Sequence, residues 1–217
     1  MTKETILHLH GFASSGNSAK ALYLRERFGE RSDVEFLTPD FNPTPRDFEF
    51  LTVTGMINRL RQYILDRNLS TISISASSLG CLVALHYARR FGGVNKLLLL
   101  APVLSFSSLS FPEESLAKWK QEGAVTIPHY GFKADLRLRY DFCQDGLAYL
   151  EQVPPPALMR ILHGKNDATI PIQNSRDYAA AHPGLVTLTE PDSDHALLDC
   201  LDLIAGQSAS FLLAQES

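Results

Sequence analysis

Cysteine and basic charge are both scarce in this chain of 217 residues. The three cysteines, Cys81, Cys143 and Cys200, are odd in number and widely spaced, which suits a reducing compartment better than a disulfide framework. Lys and Arg number 20 against 24 Asp and Glu, so the formal net charge is −4 and no basic stripe is present. We therefore expect no nucleic-acid partner.

Long hydrophobic runs are also missing. The longest, Leu97–Leu104, contains Pro102 and is far shorter than the roughly 20 residues that span a bilayer. The strand-like stretch Ile6–His10 near the N-terminus is too short for a signal-peptide core. With 45% hydrophobic and 20% charged residues the composition is that of a globular protein, not a disordered one. We expect one cytoplasmic domain over residues 1–217, with no membrane span.

Short β-rich segments alternate with longer amphipathic segments along the chain. The predicted strands are Thr5–His10, Val34–Leu37, Thr71–Ala76, Lys96–Ala101, Leu158–His163 and Leu185–Thr189. The predicted helices are Ser18–Arg31, Val53–Asp66, Leu79–Phe91, Gln173–His182 and Leu197–Ala214. This alternation indicates βαβ units, and right-handed crossovers then favour an α/β fold with a doubly wound, mostly parallel sheet.

One long segment, at about residues 105–155, interrupts the alternation. It is rich in Ser, Pro, Gly and aromatic residues, and two helical pieces are predicted in it, Pro112–Glu122 and Phe142–Glu151. Because long insertions at strand ends are usually functional, we interpret it as a small helical cap over the carboxyl edge of the sheet. Its aromatic side chains either line an apolar pocket or form the core of the cap itself.

A sharp turn between the third predicted strand and its helix is indicated by Ala76-Ser77-Ser78-Leu79-Gly80. Small residues two before and two after a serine let strand and helix pass closely, so the turn can raise the Ser78 hydroxyl above the sheet edge. The Leu79 N–H then lies at the positive end of the helix, where an oxyanion could be bound. Two alternatives remain: Ser77 as nucleophile, or serines that only cap the helix.

The turn after the first predicted strand reads His10-Gly11-Phe12. Such a turn can present a second backbone donor, the Phe12 N–H, to the same oxyanion. His8 and His10 share one face of the strand and could form a metal pair, but the sequence offers no well-spaced third ligand. The prediction is therefore that no metal is bound and that His10 shapes the turn.

Asp167 follows the fifth predicted strand and His195 follows the sixth. Carboxyl ends of parallel strands share one edge of the sheet, so both can meet Ser78 there. The order Ser78, Asp167, His195 predicts a triad in which His195 takes the serine proton and Asp167 orients the imidazole. Asp192 and Asp194 remain rival partners for His195.

These motifs together resemble the α/β-hydrolase superfamily: His10-Gly11-Phe12, Ala76-x-Ser78-x-Gly80, His163-Gly164-x-x-Asp167 and Asp194-His195. The start of the chain most resembles the small bacterial YqiA-type esterases. The resemblance covers the chain from Ile6 to the last helix except for the cap. It implies a reduced fold that lacks the two antiparallel strands often found first, a serine nucleophile and no cofactor. Ala76 departs from the pattern, since glycine is more common there.

The function expected from these residues is hydrolysis of a small carboxylic ester or thioester through an acyl-enzyme on Ser78. A peptidase or a C–C bond hydrolase could use the same three residues. A hydrolase-fold protein that only binds a ligand is the third possibility. No phosphate-loop or dinucleotide glycine pattern supports a nucleotide-binding function. The oligomeric state is not predicted.

Overall fold

The computed structural model describes residues 3–213, and the elements below are those of this part of the chain. Its strands are β1 Glu4–Leu9, β2 Val34–Leu37, β3 Ile72–Ser77, β4 Val94–Leu100, β5 Ala124–His129, β6 Ala134–Arg139, β7 Leu158–Leu162 and β8 Val186–Thr189. Its α-helices are α1 Ala19–Gly29, α2 Pro45–Glu49, α3 Val53–Asp66, α4 Leu79–Phe91, α5 Glu113–Glu122, α6 Asp141–Gly146, α7 Gln173–Ala181 and α8 Leu201–Gln207.

The main sheet has six strands in the order β2-β1-β3-β4-β7-β8, and every neighbouring pair of them is parallel. The predicted doubly wound α/β fold is therefore confirmed. The switch point lies between β1 and β3, because β2 is added on one side of β1 and all later strands of this sheet on the other side. The register of β1 and β3 pairs Leu9 with Ala76. Ligands bind at such a switch point in open parallel sheets, outside the carboxyl ends of the strands.

Two apolar clusters cover the two faces of the sheet. On one face, Ile6 of β1 packs with Leu24 of α1 and Ile204 of α8. On the other face, Leu7 packs in a larger cluster that includes residues of α3, α4 and α7. This division follows from the alternation of side chains along a strand, which sends neighbours such as Ile6 and Leu7 to opposite faces. Helix α4 is buried along nearly its whole length, as its apolar sequence predicts.

The predicted elements differ from the observed ones mainly at their ends. The bounds of β2, α3 and α4 are those predicted, whereas the last predicted helix divides into a 3₁₀ turn at 198–200, α8 and a π-helical turn at 208–212. Ala214, its predicted last residue, lies outside the described residues. The short helix α2 was not predicted, although Thr44 and Asp47 form a capping box around Pro45 at its start.

The segment 105–155 is an insertion between β4 and β7 that contains more than the helices predicted for it. Helices α5 and α6 are present, but between them lies an antiparallel hairpin, β5–β6, which the sequence analysis missed. Trp119 is buried within this cap, and its indole N–H donates to the Leu138 carbonyl at 3.0 Å. The cap touches the core through hydrogen bonds such as that from the Tyr130 N–H to the Ala13 carbonyl, at 2.9 Å.

None of the helices within residues 3–213 combines the length and the apolar character that crossing a bilayer requires.

Candidate active site

Ser78 lies at the tight turn between β3 and α4, with φ 50° and ψ −119°. This conformation is strained for a residue with a side chain, and the surrounding structure holds it through a hydrogen bond from the Ser78 N–H to the Leu100 carbonyl at 2.9 Å. Gly80 permits the close crossing of helix and strand, since a Cβ there would lie 2.6 Å from the His10 carbonyl oxygen. The alanine at position 76 is fully buried and fits this turn.

The side chains of Ser78, His195 and Asp167 meet at the carboxyl edge of the sheet and form a continuous hydrogen-bonded chain. His195 Nε2 lies 3.1 Å from Ser78 Oγ, and His195 Nδ1 lies 2.6 Å from Asp167 Oδ2. The Asp167 side chain is fully buried, whereas the His195 side chain is 25% exposed and faces the cavity described below. A base between a hydroxyl and an ionised carboxylate is the arrangement required to activate a serine.

Asp167 receives more donors than His195 alone supplies. Its Oδ1 accepts from the Thr169 and Ile170 N–H groups at 2.8 and 2.9 Å, and its Oδ2 also accepts from His163 Nε2 at 3.0 Å. Burial raises the pKa of the Asp167 carboxyl, but the bonds from His163, His195 and Ile170 outweigh it and hold the pKa well below its usual value. Asp167 is therefore ionised at neutral pH.

His163 is a buried residue of the site to which the sequence analysis assigned no role. Its Nε2 lies 3.0 Å from both Asp167 Oδ2 and the Ile170 carbonyl oxygen, and its Nδ1 lies 2.7 Å from Ser175 Oγ. The imidazole thus joins the end of β7 to the loop that carries Asp167 and to α7. The His163-Gly164-x-x-Asp167 motif in the sequence could have indicated that His163 contacts Asp167.

Asp192 and Asp194, the alternative partners considered for His195, form hydrogen bonds with other groups. Asp192 Oδ1 accepts from the Asn166 side chain at 2.8 Å. Asp194 Oδ1 accepts from the N–H groups of Ala196 and Leu197 and so caps the turn that follows His195. Neither carboxylate bonds to the His195 ring among the contacts of residues 3–213, where Asp167 occupies that position.

The two backbone donors predicted for an oxyanion line the same cavity as Ser78 and His195. Within residues 3–213, neither the Phe12 N–H nor the Leu79 N–H donates to a protein acceptor. The Leu79 N–H opens α4, so it has no partner inside the helix. The loop that carries Phe12 is held by His10, whose Nδ1 lies 2.9 Å from the Gly11 carbonyl oxygen.

His8 and His10, considered above as a metal pair, are engaged in the protein interior. His8 Nδ1 lies 3.1 Å from Ser75 Oγ, and the Phe41 N–H donates to His10 Nε2 at 3.0 Å. Burial, followed by the positive charge of Lys20, lowers the pKa of His8 to about 3. In the part of the chain that the structure covers, no three His, Cys, Asp or Glu side chains are arranged to hold a metal ion.

A cavity of about 400 Å³ opens above Ser78, between the sheet edge and the cap. Its apolar wall is formed by Phe12, Leu109, Phe111, Tyr130 and Phe142. Lys20 of α1 lines the opposite side, and its Nζ donates to the Ala196 carbonyl at 2.6 Å. The sequence did not predict that Lys20 lines the cavity. The residue pattern of a surface helix does not show where the end of a long side chain lies.

Solved structures with the same fold include several hydrolases. Alpha/beta hydrolase domain-containing protein 10 from mouse is 20% identical, with a TM-score of 0.73, over 95% of this chain and 88% of its own. Est1E from Butyrivibrio proteoclasticus, with ferulic acid bound, is 16% identical, with a TM-score of 0.75, over 98% and 89%. An esterase from Exiguobacterium antarcticum is 15% identical, with a TM-score of 0.71, over 98% and 93%. At these identities the likeness establishes the fold.

A comparison of the sequence with curated proteins gave no significant match. Residues 5–208, by contrast, match an uncharacterised protein family, UPF0227, which accounts for nearly the whole chain. The parallel sheet, the turn at Ser78 and the structural relatives agree with this match. The protein therefore belongs to the UPF0227, or YqiA-like, family and has the α/β-hydrolase fold.

Proposed function

We propose that this protein is a serine hydrolase that cleaves a small carboxylic ester or thioester, with Ser78 as nucleophile, His195 as general base and Asp167 as the orienting acid. The observation that carries the proposal is the continuous chain from Ser78 Oγ through the His195 ring to the buried Asp167. A serine hydroxyl is a weak nucleophile unless a base accepts its proton, and a histidine is an effective base only in one tautomer.

In the proposed reaction, Ser78 Oγ attacks the carbonyl carbon while its proton passes to His195 Nε2. The negative charge that develops on the carbonyl oxygen is stabilised by the N–H groups of Phe12 and Leu79. His195 then gives the proton to the leaving oxygen or sulfur, and the acyl-enzyme forms on Ser78. Water attacks this acyl group by the same sequence in reverse, which releases the acid and restores the hydroxyl.

Asp167 contributes by remaining ionised. Because its pKa is held low, it accepts the Nδ1–H of His195 and keeps the Nε2 lone pair directed at the serine. The same carboxylate stabilises the imidazolium that forms during attack. The choice of an ester over an amide is supported by the esterase among the structural relatives, and the apolar wall of the cavity supports an apolar acyl or alcohol group.

The proposal is tested by a matched panel of p-nitrophenyl esters, alkyl thioesters and p-nitroanilides with acyl chains of two to eight carbons. We expect turnover of the oxygen and sulfur esters, at least 10³-fold slower in Ser78→Ala. Ser70→Ala is the control, since Ser70 is exposed and precedes the opposite end of β3. Faster cleavage of the anilides would indicate a peptidase, and no turnover at all would indicate a protein that only binds its ligand.

A further inference from the structure

One side of the cavity above Ser78 carries an ammonium group with no carboxylate partner. Lys20 is the second residue of α1 and lines the cavity, where its Nζ donates to the Ala196 carbonyl. Among the ion pairs of residues 3–213, none includes Lys20. An ammonium group has three N–H donors, so two of them stay available in this position.

A buried hydroxyl without a partner lies on the same side. Ser77 lines the cavity and is only 6% exposed, yet its Oγ has no hydrogen bond within the described chain. Side chains alternate along β3, so Ser77 shares a face with Ser75, whose hydroxyl meets His8. That face is the one covered by α1, the helix that carries Lys20. Buried polar groups in proteins are nearly always paired, and Ser77 is an exception that a ligand would explain.

The two sides of the cavity therefore differ in chemistry. The cap side is aromatic, whereas the α1 side offers Lys20 and Ser77. Burial lowers the pKa of Lys20 because its ammonium loses hydration, and nearby negative charges such as that of Asp194 oppose this only in part. A partly dehydrated cation gains most from an anion that binds beside it, since desolvation strengthens the attraction.

We infer that Lys20 and Ser77 form a subsite for a carboxylate on the substrate, so that the preferred esters of this enzyme carry one negative charge. The inference rests on the function proposed above and adds a substrate class to it. A single ammonium and a single hydroxyl match the two oxygens of a carboxylate.

The experiment compares kcat/KM for two pairs of esters that differ only in one charge. The first pair, 4-nitrophenyl hydrogen adipate and its methyl ester, places the charge on the acyl side. The second, 4-acetoxybenzoate and 4-acetoxybenzamide, places it on the alcohol side. We expect the wild-type protein to prefer the charged member of at least one pair, with a ratio of kcat/KM above one.

Lys20→Met should lower that ratio by roughly 10- to 100-fold, the range expected for a hydrogen bond between charged groups. Lys20→Arg should restore it in large part, because the charge returns. Lys118→Met is the matched control, since Lys118 is an exposed lysine of α5 that pairs with Glu122. The ratio in this control should equal that of the wild type.

Two results would overturn the inference. A wild-type ratio of one or less in both pairs would do so without any variant, even if Lys20→Met did not fold. Equal losses on the charged and neutral esters in Lys20→Met would assign the lysine to holding the His195 loop through Ala196 instead. Turnover without charge preference leaves the proposed function intact, whereas absence of turnover on all four esters overturns both.

Discussion

His10 Nδ1 lies 2.9 Å from the carbonyl oxygen of Gly11, in the peptide group whose N–H belongs to Phe12. The Phe41 N–H donates to the other ring nitrogen, so Nδ1 carries the proton and donates to Gly11. Carbonyl and N–H point in opposite directions in a trans peptide. By holding the carbonyl on one side, His10 directs the Phe12 N–H away from itself, towards the cavity.

The first prediction concerns this peptide group. His10→Ala should lower kcat for a p-nitrophenyl ester by about 10-fold or more with a smaller change in KM, because a misdirected oxyanion donor acts mainly on the transition state. His182→Ala is the control, since the His182 ring contacts the carbonyl and the ring of Tyr178 and does not line the cavity in residues 3–213. Equal kcat values for His10→Ala and the wild type would contradict this role.

The second prediction concerns the acid. Asp167→Asn should lower kcat by roughly 10³- to 10⁴-fold while the fold is retained, because the amide favours the wrong imidazole tautomer. Asp192→Asn should keep most of the activity, since Asp192 bonds to the Asn166 side chain. Steady-state kinetics and circular dichroism on both variants provide the comparison. If Asp192→Asn were the inactive one, the assignment of the acid would be wrong.

The third prediction concerns the crossing of α4 over β1. A Cβ on Gly80 would lie 2.6 Å from the His10 carbonyl oxygen and 2.9 Å from that of Leu9, so Gly80→Ala should lower the free energy of unfolding by about 1–3 kcal/mol. A Cβ on Gly29 in α1 would meet no atom of residues 3–213 within 4 Å outside the adjacent helix backbone, so Gly29→Ala should leave stability unchanged or raise it by up to about 1 kcal/mol. Urea denaturation measures both, and similar values for the two variants would refute the steric argument.

The fourth prediction concerns acid stability. Burial, with the charge of Lys20, lowers the pKa of His8 from 6.5 to about 3 in the folded protein. Between these values the unfolded chain binds the extra proton, so the stability contributed by neutral His8 is complete above pH 6.5 and declines as pH falls. The slope is up to about 1.4 kcal/mol per pH unit.

His8→Gln removes this titration and should show a shallower decline in unfolding free energy between pH 6.5 and 4. Urea denaturation at a series of pH values, with wild type and variant side by side, measures the difference in slope. Parallel curves for the two proteins would show that His8 does not titrate differently in the folded and unfolded states.

Much of the fold could be predicted because local pattern and global topology agree. The parallel sheet followed from strands alternating with helices, and the close turn at Ser78 followed from the small residues around it. In a parallel sheet the carboxyl ends of the strands meet at one edge, so Ser78, Asp167 and His195 could be expected together from their order alone. Their roles in catalysis stay predictions.

The hairpin β5–β6 was missed although β6 alternates apolar and polar residues, with Leu136 and Leu138 on one face, because Pro128 in β5 argues against a strand. The other features that sequence reasoning missed depend on contacts between distant segments. Asn42 and His129, which meet at 3.1 Å, are 87 residues apart. The position of Lys20 Nζ likewise depends on the loop that carries Ala196. A local sequence pattern cannot predict such contacts, because the partners are far apart in the sequence and meet only in the folded protein.

The most direct test of the central claim is covalent labelling with a fluorophosphonate, mapped by mass spectrometry. The reagent forms a stable phosphonyl ester only on a serine that a neighbouring base activates. We predict a single adduct on Ser78 in the wild-type protein, no adduct at that position in Ser78→Ala, and much slower labelling in His195→Ala. Equal labelling of wild type and Ser78→Ala, or no labelling of the wild type, would contradict the account.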